Sequence, residues 1–266
     1  MKYASFTQTY GDKRRSEINL LKYDNIGNLF RKKCDLIIFS FHNCSKSIIT
    51  EFIDISKTLY PEEKLRVLIY NNCSYLDSIK NTILYLIKNN IDYILQIQDD
   101  QFGLNNTENN SNIINNVNTI FTFIETKKPQ YFNMLSNHGD KNVNKMKVYE
   151  EFYLNNIEFY KYNSKEFRYC YSFNDGTFLA SIELLKILYF LPNLPENIWD
   201  LENSLCKYFL ANNFDRWGMN KVIFGHLCIH GKNVMLINER KEELQKYFKD
   251  LEMWDTEIED YILKLM

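Results

Sequence analysis

The chain has 266 residues, 45% apolar and 25% charged, with 19 Tyr and 19 Phe. That balance supports a sizeable buried core and excludes wholesale disorder. A formal net charge of -2 leaves no overall basic footprint, which argues against broad sequence-independent binding to nucleic acid.

Tyr3 to Thr9 alternates apolar and polar residues and closes on Tyr10-Gly11-Asp12, which predicts a strand and a turn. A polar, helix-compatible stretch follows to about Lys33. Asp35 to Phe41 is a continuous apolar run, as expected of a strand buried on both faces of a parallel sheet, and it ends in His42-Asn43-Cys44-Ser45. Lys46 to Leu59 predicts a helix, Leu65 to Tyr70 a third strand, and Leu76 to Asn90 a second helix on its apolar spacing. Asp92 to Gln98 is a fourth strand with Asp99-Asp100 at its end. Strands alternating with helices predict a wound, mostly parallel α/β sheet. Residues 103–118 predict a Gly/Asn-rich loop, followed by a helix to about Lys128 and a strand at Tyr131 to Leu135. Residues 137–165 predict irregular chain. Asn174-Asp175-Gly176 precedes a strand or turn that runs into a helix to Leu191. Another helix starts near Ile198 and runs to about Asn212. Val222 to Gly231 predicts a late strand carrying His226 and His230, and 239–266 an amphipathic helical tail.

Cys34, Cys44, Cys73, Cys170, Cys206 and Cys228 form no Cys-x-x-Cys, which argues against a zinc ribbon or redox pair. No apolar leader precedes the charged residues at Asp12 to Arg15, and no run approaches the roughly 18 apolar residues of a membrane span. The expectation is a reduced, cytoplasmic protein with no membrane span.

In wound sheets, ligands bind at the carboxyl ends of strands. Three such ends, Thr9-Tyr10-Gly11-Asp12, His42-Asn43-Cys44-Ser45 and Gln98-Asp99-Asp100-Gln101, are all polar. Two carboxylates about 4 Å apart repel by roughly 4 kcal/mol at an effective dielectric near 20, so a convergent pair favours a cation. Oxygen ligands of this kind suit Mg²⁺ or Mn²⁺. A solvated acidic turn is the plainer account of the pair alone.

This order of strands and polar ends resembles the glycosyltransferases of the GT-A fold, in the layout of the large family 2-like group. The resemblance spans residues 1–235 as one domain, with 236–266 as a C-terminal helical extension packed on it. It implies a mixed, mostly parallel Rossmann-like sheet flanked by helices. It further implies an enzyme that transfers a hexose or deoxyhexose from a nucleoside-diphosphate sugar to a glycan or other hydroxyl acceptor, with inversion. The first strand and its loop (Thr9, Tyr10, Arg14, Arg15) would meet the nucleotide, and His42 and Asn43 its base. Gln98 stands where the Asp-x-Asp motif has its first acid. Asp99 then falls to the sugar or ribose, and Asp100 to Mn²⁺ or Mg²⁺ that assists diphosphate departure. An uncharged Gln98 weakens cation binding.

The same resemblance makes Asp200 the general base, with Trp199 in place of the preceding Glu and Glu202 as the alternate base. His230 would touch metal or diphosphate, Lys232 phosphate, and Asp175 the sugar or acceptor. Each has a plainer account as a helix cap, packed histidine or turn residue. An inactive GT-A-like module binding glycan or protein is the main alternative, favoured by Gln98 and Trp199. A sugar nucleotidyltransferase is less supported, since only one glycine follows the first strand. The tail could pack on its own domain or on a second copy.

Overall fold

The computed structural model describes residues 1–11, 21, 24–98, 101–103, 110–134, 148–162, 177–220 and 224–226. The strands are β1 (Tyr3–Tyr10), β2 (Leu36–His42), β3 (Leu65–Tyr70), β4 (Tyr93–Gln96), β5 (Gln101–Gly103), β6 (Tyr131–Asn133), β7 (Val148–Leu154), β8 (Ile157–Tyr162), β9 (Phe178–Ser181), β10 (Arg216–Met219) and β11 (Phe224–His226). The helices are α1 (Asn25–Lys33), α2 (Lys46–Leu59), α3 (Tyr75–Lys88), α4 (Asn110–Lys127), α5 (Ile182–Tyr189) and α6 (Ile198–Asn212). Nine strands form one sheet in the order β3-β2-β1-β4-β9-β6-β10-β8-β7, and β11 pairs with β5 in a two-stranded ribbon. The large sheet is mixed: β9 and β8 run against the other seven strands.

Strand alternation divides the core into two layers. Tyr3 on β1 packs with α1 and α4, while Ala4 and Phe6 pack with α3, α5 and α6. Ile37, Phe39 and Phe41 of β2 meet α2. Helices therefore cover both faces of the sheet, which is why β2 and β4 read as near-continuous apolar runs. Under α4, Phe123 stacks on Phe159 with centroids 4.0 Å apart, and Trp217 meets the same ring edge-on at 5.2 Å.

Three expectations are corrected. Helix α4 begins at Asn110, inside the span expected as loop, because Ile113, Val117 and Ile120 form a buried stripe at helical spacing. Residues 148–162, expected as irregular, form the β7–β8 hairpin. Its two-residue turn is Asn155-Asn156, both at positive φ (48° and 65°), the geometry a type I′ hairpin turn requires. Strand β10 was not expected; Arg216 at its start is buried over the Tyr131 ring, 5.7 Å from its centroid. The tail from 236 lies outside the described residues. Among the described residues no helix is long and apolar enough to cross a membrane.

Two stability measurements follow. Phe123→Ala should lower the unfolding free energy by about 3–5 kcal/mol in denaturant titration, the usual cost of emptying a buried phenyl site. Tyr93 is buried, its hydroxyl donating to the Pro129 carbonyl at 3.0 Å. Burial, and then the neighbouring Asp92 carboxylate, push its phenol up to about 12 from an ordinary 10.0. The unfolded chain therefore releases this proton first as pH rises. Stability is unaffected by this group below pH 10.0 and should fall as pH climbs towards about 12; Tyr93→Phe should flatten that slope.

Candidate active site at the carboxyl edge of the sheet

Strands β1, β2 and β3 end side by side, with Tyr10 opposite His42 and His42 opposite Tyr70. Beyond that line the ladder stops and the chain turns sharply. Gly11 sits at φ +69°, a backbone conformation that glycine adopts freely, and its N–H donates to the His42 carbonyl at 2.9 Å. Asn43 and Asn72 take the same left-handed region at φ 54° and 58°. The Asn43 N–H donates to the Tyr70 carbonyl at 3.0 Å, and the Asn72 N–H donates to Asn43 Oδ1 at 3.1 Å.

His42 is buried beneath this corner. Its Nε2 lies 2.6 Å from the Cys73 carbonyl, and its Nδ1 3.5 Å from Asn43 Nδ2. A carbonyl can only accept, so Nε2 is the donor in the contact with Cys73. Sequence reasoning makes His42 and Asn43 base contacts. The geometry gives both side chains intrachain partners, so they hold the β2–β3 corner in shape. The Cys44 thiol, not singled out in the sequence, lies 3.6 to 3.7 Å from the carbonyls of Thr9, Gly11 and His42.

Thr9 is buried on the α1 and α2 side of β1. Tyr10 has its backbone at the edge. Beyond Gln96, the Ile97 N–H still donates to the Phe6 carbonyl at 3.0 Å, and Gln98 follows, half-buried. The chain resumes at Gln101 in β5, whose ladder partner in β11 is His226. The two-residue acidic segment is thus flanked on one side by β4 and on the other by a ribbon strand opposite His226. Of the two late histidines, sequence reasoning favoured His230; His226 is the one whose backbone the ribbon register sets opposite Gln101. Among the described residues themselves no cluster of three metal-ligating side chains forms.

Strand β9 enters the sheet at this same edge: Thr177 is buried and its carbonyl receives the Met134 N–H at 3.0 Å. Asp200 lies in the first turn of α6, exposed, its carbonyl accepting from Ser204 Oγ at 2.8 Å; Glu202 is half-buried. The other end of α6 is fixed at the amino edge. Phe209 meets the ring of Tyr131, the first residue of β6, at 5.6 Å, and the chain enters β10 with Arg216 opposite Tyr131. Nine residues of helix separate Phe209 from Asp200, about 13 Å of rise. Asp200 thus lies about three turns of helix away from the end of α6 that meets β6. Leu201, Leu205, Cys206 and Phe209 form the buried inner stripe of α6. Arg14, Arg15, Asp99, Asp100, Asp175, His230 and Lys232 lie outside the described residues.

No family model matches the sequence, and no curated protein matches it. Solved structures do. The mannosyltransferase PcManGT from Pyrobaculum calidifontis, in complex with GDP-Man and Mn²⁺, aligns at TM-score 0.57 and 10% identity, over 96% of this chain and 65% of that one. S. aureus TarS 1-349 in complex with UDP aligns at TM-score 0.51 and 13% identity, over 94% of this chain and 72% of that one. Against S. aureus TarS the match covers 85% of this chain and 36% of that one, at 12% identity and TM-score 0.49. The chain therefore spans about a third of TarS and just under two thirds of PcManGT. At such identities the likeness is one of architecture. The chain has the GT-A fold.

Proposed function

We propose that this chain is a nucleotide-sugar-dependent glycosyltransferase that moves a hexose or deoxyhexose to a glycan or other hydroxyl acceptor with inversion. The observation that carries the proposal is convergence: the ends of β1, β2 and β4 and the entry to β9 all belong to one edge of a GT-A sheet. The nucleotide sits across the ends of β1 and β2, against Thr9, Tyr10, Arg14, Arg15, His42 and Asn43. Asp99 and Gln98 meet the ribose or sugar, and Asp175 the sugar or acceptor.

Asp100 and His230 hold Mn²⁺ or Mg²⁺, with Lys232 beside the diphosphate; a bound divalent ion supplies Lewis-acid stabilisation of the leaving diphosphate. Asp200 takes the proton of the acceptor hydroxyl, with Glu202 as the alternate base. That PcManGT binds GDP-Man with Mn²⁺ on the same fold supports a nucleoside-diphosphate sugar as donor.

The test is a calorimetric screen of UDP, GDP and their sugars, with and without Mn²⁺, followed by transfer assays. Asp200→Ala should lower kcat by about 10²–10⁴-fold, the usual contribution of a general base, with donor affinity kept. Asp100→Ala should abolish the Mn²⁺ dependence of donor binding. Full transfer by Asp200→Ala would remove the base assignment, and absence of any nucleotide binding would point to a non-catalytic binding module.

A further inference from the structure

Beneath Thr9, on the side of β1 that faces α1 and α2, a polar group is buried that the proposed chemistry does not use. Asp24 caps α1: its Oδ1 receives the Gly27 N–H at 2.8 Å and its Oδ2 the Arg31 guanidinium at 3.1 Å. A Cβ at residue 27 would lie 1.8 Å from Asp24 Oδ2, so only glycine admits the carboxylate here. Arg31 also donates to Asn28 Oδ1 at 3.3 Å and to Thr7 Oγ1 at 3.4 Å. The Tyr60 hydroxyl donates to the same Asn28 oxygen. Asn28 then uses its amide nitrogen to donate to the Leu21 carbonyl at 2.9 Å. Asp24, Asn28, Arg31, Tyr60 and Thr7 are all buried.

A buried ion pair adds little net stability over apolar residues of the same volume; its better-attested use is to fix geometry. What this one fixes is specific. Thr7 lies two residues before Thr9 on β1, and Leu21 lies six residues after Arg15 in the sequence. The network therefore clamps the chain on both sides of the residues that the proposed function gives to the nucleotide. We infer that Asn28 is a positioning residue for nucleotide binding, tying the Leu21 carbonyl to the Asp24–Arg31 pair and, through Thr7, to the end of β1. It touches no ligand. The inference rests on the proposed nucleotide site.

The experiment titrates UDP and GDP, each with Mn²⁺, into wild type, Asn28→Ala and Phe123→Leu, with thermal midpoints recorded for all three. Phe123→Leu loosens the core beneath α4, outside the Asp24–Arg31 hydrogen-bond network, and controls for stability alone. Asn28→Ala should bind the nucleotide about tenfold more weakly, a typical coupling between linked sites, while Phe123→Leu binds as wild type. Coupling is reciprocal, so nucleotide should also slow amide hydrogen exchange of residues 24–31 in the wild type. That arm needs no variant and holds if Asn28→Ala does not fold. A folded Asn28→Ala with wild-type affinity, or unchanged exchange over 24–31 on saturation, overturns the inference. Wild type that binds neither nucleotide removes the proposed function instead.

Discussion

Seven strands of the large sheet point the same way, so their carbonyl ends gather along one edge where no further ladder can satisfy them. Backbone groups at such an edge need partners and yet must leave the edge open to solvent. The chain meets this with short polar turns in left-handed conformations and with side chains that lean on the last carbonyls. Gly11, Asn43 and Asn72 are the turns; His42 and the Cys44 thiol are the side chains. The edge assembled this way is polar, with each of these groups bonded across to a neighbouring strand or turn.

The left half of the molecule was legible because its strands are central. Buried on both faces, β2 and β4 must be apolar almost throughout, and that leaves a plain signature. The right half is an edge. Strand β7 exposes Tyr149, Glu150, Glu151 and Tyr153, so its sequence looks like loop. The turn Asn155-Asn156 was the available signal. Among the described residues, asparagine holds seven of the eight positive-φ positions filled by residues other than glycine, which makes Asn pairs in this chain better turn markers than its high Asn content suggests. Helix α4 was hidden by the same abundance, since asparagines on its outer face obscured the Ile113, Val117, Ile120 stripe.

The candidate site was legible as a list of strand ends and illegible as a set of contacts. Nothing in the sequence reveals that His42 meets a carbonyl 31 residues away. Nor does spacing reveal that His226 comes opposite Gln101, because that register depends on a three-residue ribbon formed across more than a hundred residues. Identity of 10 to 13% with solved GT-A structures fits this division. The apolar pattern that builds the sheet can be kept with almost any aliphatic or aromatic residue, whereas the partners at its edge are chosen one by one.

Helix α1 ties these parts together. A two-stranded ribbon of three residues a side is marginal on its own, and β5–β11 is held instead by packing, with the Phe224 ring 5.4 Å from that of Phe30. Phe30 lies on the same nine-residue helix as Asn28 and Arg31. One face of α1 therefore supports the ribbon that flanks the acidic pair, while its polar residues clamp the chain at Thr7 and Leu21. A displacement of α1 would move both sides of the candidate site together. That shared dependence gives a physical reason for committing a buried carboxylate, a guanidinium and an amide to so short a helix, when aliphatic residues would have packed there at no electrostatic cost.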